Sequence, residues 1–170
     1  MIAYKFLGEG GTARFSGFIW PLPGAGRYGE WVDAQPSVCA TGIHACRTAD
    51  LPYWIDAELW RIELDGDIVE GTRKVVAERG RLVGRVEAWD AGAGHGFGRA
   101  CAARADALAG SLPALRAYAD DTAVFAEAGK PAVAGFVAAR LAELTGGVEG
   151  YESERDAQGR WLAEHLALTE

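Results

Sequence analysis

The hydrophobic period of this chain changes once, and that change limits the folds open to it. Before Asp90 apolar residues tend to alternate with polar ones; after it they recur at intervals of three and four. Alternation places successive side chains on opposite faces of a strand, whereas the longer interval gathers them on one face of a helix. Composition divides at the same place: five of the six Trp lie in residues 1–89 and 22 of the 32 Ala in residues 91–170. The junction Asp90-Ala91-Gly92-Ala93-Gly94-His95-Gly96 reads as a Gly-rich turn or hinge. The expected fold is α+β, with a mostly antiparallel β-sheet over residues 1–90 and a layer of about four Ala-rich helices over residues 91–170. The helical layer is expected to pack on the sheet as one compact unit.

Within the first half, Ile2, Tyr4 and Phe6 alternate with Ala3, Lys5 and Leu7, which suits a strand covered on both faces. Thr12 to Trp20 is rich in strand-forming types and ends at Pro21-Leu22-Pro23-Gly24. In Leu59 to Asp65, Trp60, Ile62 and Leu64 share one face, and Asp65-Gly66 signals a turn. Lys74 to Glu78 and Arg81 to Trp89 read as two strands separated by a break at Gly80. Ala49 to Ile55 reads as a short helix capped by Thr48. In the second half, stripes run through Phe97-Cys101-Ala105-Leu108, Leu112-Leu115-Tyr118-Thr122-Phe125, Val133-Phe136-Val137-Leu141-Leu144 and Tyr151-Trp161-Leu162-His165-Leu166. Ser111 with Pro113, and Lys130 with Pro131, mark helix starts, and Gly146-Gly147 marks a stop.

Charge and cysteine usage exclude several classes. The net charge of -7 disfavours a general attraction to nucleic acid or to an anionic membrane surface. No apolar run approaches the roughly 18 residues that a membrane span requires. The opening Met1 to Leu7 carries no export pattern, so the expected compartment is the cytoplasm, with Cys39, Cys46 and Cys101 as free thiols. Small residues spread over the helices favour internal packing and hence a monomer or weak dimer.

The densest chemical segment is Cys39-Ala40-Thr41-Gly42-Ile43-His44-Ala45-Cys46-Arg47. If it is extended, His44 and Cys46 point to one face about 7 Å apart. They could be the imidazole and thiol of one pocket, or a hydrogen-bonded core histidine beside small apolar thiols. The spacing matches no common zinc pattern and lacks a Cys-x-x-Cys pair, so no metal site is expected. Tyr53 and Trp54 follow a short helical start and could line the mouth of a pocket, although core packing is the plainer fate for most rings. Glu78 could serve as a general base or hold a hydroxyl, or be a solvated turn charge. Arg79, Arg81 and Arg85 could bind one anionic group. The glycines from Gly92 to Gly98 lack the last glycine of a dinucleotide loop, because Arg99 stands there. No cofactor is expected.

Tyr4-Lys5, Cys39-x-x-Gly42-Ile43-His44-Ala45-Cys46, Leu59 to Gly66 and Lys74-Val75-Val76-Ala77 together resemble a small domain of phage and bacterial proteins with no established activity. Ile43 departs from the usual Phe of that pattern. Glu154-Arg155-x-x-Gln158-x-x-Trp161-Leu162-Ala163 resembles the closing helix of actinobacterial proteins. A more distant resemblance, to the ADP-ribosyltransferase layout, would place Lys5, Tyr53 and Glu78 around NAD. Lys5 is the wrong type for the first of these positions, and the Ser-Thr-Ser stretch of that layout is missing.

Two function classes follow. One is a binding or interaction domain for a small molecule or a protein partner, without catalysis of its own. The other is an enzyme with a pocket around His44, Cys46, Tyr53 and Glu78.

Overall fold

The computed structural model describes residues 1–37, 41–110 and 112–169. The fold is α+β, an antiparallel sheet followed by three helices, and it divides into two compact units. Met1–Glu87 form the first together with Thr169, and Ala88–Leu168 form the second. The expectations for Cys39 and Ser111 fall outside the described residues.

The strands of the first unit are β1 (Ile2–Leu7), β2 (Val32–Asp33), β3 (Ile43–Ala45), β4 (Glu58–Gly71) and β5 (Lys74–Arg85). Their order is β1-β4-β5-β2, with β3 also paired to β5. Cys46, just past β3, then exchanges two backbone bonds with Tyr4 of β1, at 2.9 and 2.7 Å. The path β1-β4-β5-β3 therefore returns to β1, and the sheet closes on itself. Closure turns the inward faces into one apolar interior: Ala3, Leu7, Trp20, Ile43, Ala45, Trp60, Ile62, Leu64, Val75, Ala77 and Leu82 pack there.

Two breaks read in the sequence are absent from these strands. Gly80 interrupts nothing, because β5 runs through it and pairs it with Leu64 and Val32. A Cβ there would lie 2.7 Å from Ile43 and 3.2 Å from both Ile62 and Leu64, so glycine is a packing requirement. Asp65-Gly66 is a bulge in β4 rather than a turn, with Gly66 at φ 75° and a register shift before Ile68. The actual reversal follows Gly71. The junction Asp90 to Gly96, expected as a Gly-rich turn or hinge, instead forms the opening of a helix. Asp90 caps it, its carboxylate accepting from the backbone N–H of Ala93 at 2.8 Å. Thr12 to Trp20 is not a strand and contributes only the isolated bridge Thr12–Ile19 within this segment. The short helix is a 3-10 turn, Thr48–Tyr53, with Thr48 as its first residue rather than its cap.

The helices are α1 (Ala91–Ala109), α2 (Pro113–Glu127) and α3 (Pro131–His165). The third and fourth stripes lie on either side of Gly147 in α3, whose φ of 64° and ψ of -154° are non-helical and break it into two helical segments, as the Gly146-Gly147 stop anticipates. Some large residues of the stripes reach the core as their spacing suggests, with Phe97, Leu141, Leu162 and Leu166 buried, but others do not. Ala105, Ala109, Ala119, Ala126, Ala134, Ala138, Ala139 and Ala142 are buried, whereas Leu108, Leu112, Tyr118, Phe136 and Leu144 are each more than a third exposed. Methyl side chains let helix backbones approach closely, which moves the larger groups to the rim. Phe97 is fully buried and meets Trp89 and Trp161 edge to face.

Candidate functional site

Closure of the sheet is incomplete, and the gap carries the chemistry. Pairing between β1 and the β3 segment is made at Tyr4–Cys46. Continued by two residues, that antiparallel register would set Phe6 opposite His44. There the carbonyl of His44 instead accepts from the ammonium of Lys5, Nζ to O 2.5 Å. A lysine side chain thus bridges the seam where backbone pairing gives way.

Beside this seam lies a cavity of about 620 Å³, a size suited to a small-molecule ligand. Its wall is largely apolar and aromatic, including Phe15, Phe18, Trp20 and Trp54. Lys5, His44, Cys46 and Lys74 also line it. The alternation of β1 explains how Lys5 gets there, since it lies between Ala3 and Leu7, both of which face the interior. Protein encloses its side chain, yet some solvent contact remains, as befits a group lining a cavity. Burial lowers its pKa from 10.5 to about 8. Its Nζ stands 5.2 Å from the centroid of the Trp20 ring. Lys74 is buried as well, with Nζ 5.7 Å from the Trp54 ring.

Neither lysine has a carboxylate within ion-pair distance among the described residues, whereas other cavity charges are already matched. Arg14 donates to Asp56 at 2.9 Å and to the Ile55 carbonyl at 3.2 Å. Asp33 faces Arg79 at 3.3 Å. His44 is held below its ordinary pKa, first by burial and then by the positive charges of Lys74 and Lys5. Its ring bonds to the backbone of Thr41, while Nε2 is buried without a hydrogen-bond partner among the described residues. The Cys46 thiol is pushed up to about 12, chiefly by burial, so it is not a ready thiolate.

The sequence-derived candidates are distributed unevenly. His44, Cys46 and Trp54 meet at the cavity, whose lining does not include Tyr53, Glu78, Arg79 or Arg81. Tyr53 lies under the guanidinium of Arg73, 4.5 Å from its centroid. Trp54 anchors the same turn by donating from Nε1 to the Arg73 carbonyl at 2.7 Å. Glu78 is exposed and accepts from the backbone N–H of Asp67 at 3.3 Å, steadying the bulge at Gly66. Arg79 and Arg81 both stand 4.6 Å from the Trp31 ring, and Arg81 also pairs with Glu63 at 2.7 Å. Arg85 lies 3.5 Å from Glu58. The arginine cluster is thus engaged by carboxylates and rings.

Of the positions suggested by the ADP-ribosyltransferase layout, Lys5 alone is at the cavity. Among the described residues, no group of three or more His, Cys, Asp or Glu is placed to hold a metal ion, and no helix is long and apolar enough to cross a membrane.

The sequence offers Lys5 as a site residue only through that distant resemblance, and Lys74 not at all. For Lys5 the available signal is a lysine inside a strand whose neighbours on both faces are apolar. Comparison with protein families, with curated proteins and with solved structures finds no match.

Proposed function

We propose that this chain is a binding module for a small anionic molecule with an apolar or aromatic body. One observation carries the reading: two enclosed lysines without carboxylate partners line a cavity whose walls are otherwise largely apolar. An anion entering there would supply the charge that Lys5 and Lys74 lack. Trp20, Trp54, Phe15 and Phe18 would cover its apolar part. The enzyme alternative built on His44, Cys46, Tyr53 and Glu78 receives less support, since two of its four residues are not in the lining and the thiol is held protonated.

Thermal denaturation with a panel of small carboxylates and phosphates, each beside a neutral isostere, tests the reading. A ligand at a hundred times its Kd should stabilise the fold by about 2.7 kcal/mol. Lys74→Gln should weaken that ligand tenfold or more while leaving neutral isosteres unaffected. A panel in which anions and neutral isosteres behave alike would remove the proposal.

A further inference from the structure

We propose that Lys5 captures small 2-oxo acids as a covalent imine, with Lys74 holding the acid group. The inference rests on the cavity being a ligand site and adds a reaction to it. Its geometric basis is the company Lys5 keeps. Nζ contacts the His44 carbonyl and the Trp20 ring, and no carboxylate stands within ion-pair distance among the described residues. A carboxylate partner would lock the group as ammonium. A neutral carbonyl still accepts from an uncharged amine, though more weakly than from an ammonium, so losing the proton breaks no ion pair. The enclosing wall works in the same direction, lowering the pKa to about 8. At pH 7 that leaves roughly a tenth of the side chain as free amine, about three hundredfold more than an ordinary lysine.

The reaction balances without a further reagent. Lys5 releases its ammonium proton to solvent, and the amine nitrogen attacks the carbonyl carbon to give a carbinolamine. The former carbonyl oxygen then leaves as water with the two amine hydrogens, and a C=N bond replaces C=O. No electron acceptor or donor is consumed. A carboxylate next to the reacting carbon suits a site with a second enclosed cation, Lys74, on the same lining. The apolar wall restricts water that would hydrolyse the imine.

The chain contains three lysines, Lys5, Lys74 and Lys130, and the last is exposed, so each protein molecule carries its own control. Full-length protein is incubated at pH 7 with pyruvate and cyanoborohydride, and the reduced adducts are mapped by peptide mass spectrometry. Lys5 should be modified at least tenfold faster than Lys130. Lys74→Gln should slow modification by pyruvate but not by acetaldehyde, which lacks the acid group. Modification of Lys130 as fast as Lys5, or indifference of the pyruvate rate to Lys74→Gln, would overturn the inference. Calorimetry with lactate, which cannot form an imine, separates the two levels. Lactate binding without trapping of pyruvate at Lys5 overturns the covalent step and leaves the anion site standing. Absence of both overturns the two together.

Discussion

Arg104 on α1 holds Glu154, 50 residues away on α3, through two N–H···O bonds of 2.8 and 2.9 Å. Glu154 is buried, and its Oε1 also accepts from Gln158 at 2.8 Å. Gln158, fully buried, donates again to the Gly135 carbonyl at 2.9 Å and accepts from Arg155 at 3.0 Å. The polar residues of the closing-helix motif therefore form a single interior network rather than a solvated face. In a core of methyl groups, such a network supplies directional contacts that alanines cannot.

Glu154→Ala removes the acceptor shared by Arg104 and Gln158, so two N–H groups of Arg104 and one of Gln158 lose it. Because Arg104 keeps partial solvent access, the cost should fall near 2–4 kcal/mol, below that of a fully enclosed pair. Urea denaturation measures it. A loss under about 0.5 kcal/mol would mean that the network contributes nothing to stability.

The network also marks the limit of what the sequence makes legible. Strands β1 and β4 are plain because alternation survives in Ala3-Tyr4-Lys5-Phe6-Leu7 and in Trp60-Arg61-Ile62. The helix start at Pro131 is legible because proline suits the first helical position, whereas the one at Asp90 is hidden by glycines that suggest a hinge. Gly80 and Gly66 mislead for a physical reason: a glycine in a strand looks like an interruption until the opposing side chains are known. Arg104 and Glu154, or Lys5 and His44, cannot be paired by eye at all. Their partnership depends on helix packing and on sheet closure, neither of which leaves a local pattern.

Lys5 should imprint itself on the pH dependence of stability. Its folded pKa, about 8, lies below the ordinary 10.5. Below pH 8 both states carry the ammonium and the folded chain bears the full cost of enclosing it. Between pH 8 and 10.5 the unfolded chain holds more protons, so stability rises with pH. The stability of wild type relative to Lys5→Met should therefore improve across that window, by up to roughly 3 kcal/mol. Using the difference cancels ionisation of thiols and tyrosines common to both proteins. A flat difference from pH 7.5 to 10.5 would show that Lys5 titrates normally.

Cys46 and Cys101 are buried, and burial pushes both thiols up to about 12. At pH 8 neither offers an appreciable thiolate fraction, and reagent access is poor as well. Alkylation of native protein by iodoacetamide, mapped by mass spectrometry, should spare both by at least a hundredfold relative to urea-unfolded protein. Rapid native modification of Cys46 would reopen the thiol chemistry that its position beside His44 suggests.

His44 tests whether the cavity is a site or a packing fault. Its Nε2 bonds to nothing among the described residues, so replacing the ring strands little beyond its bond to Thr41. His44→Ala should then cost less than about 1 kcal/mol at pH 7.5. Because burial and the two lysines hold its pKa below 6.5, the unfolded chain binds the extra proton first as pH falls. Wild type should lose stability relative to His44→Ala below about pH 6.5, and the gap between them should narrow or reverse by pH 5. His44 also lines the cavity together with Lys5 and Lys74, so anion affinity should drop about tenfold, roughly 1.4 kcal/mol. A variant that melts several degrees lower at pH 7.5, with affinity changed only in step with unfolding, would make His44 a structural histidine and nothing more.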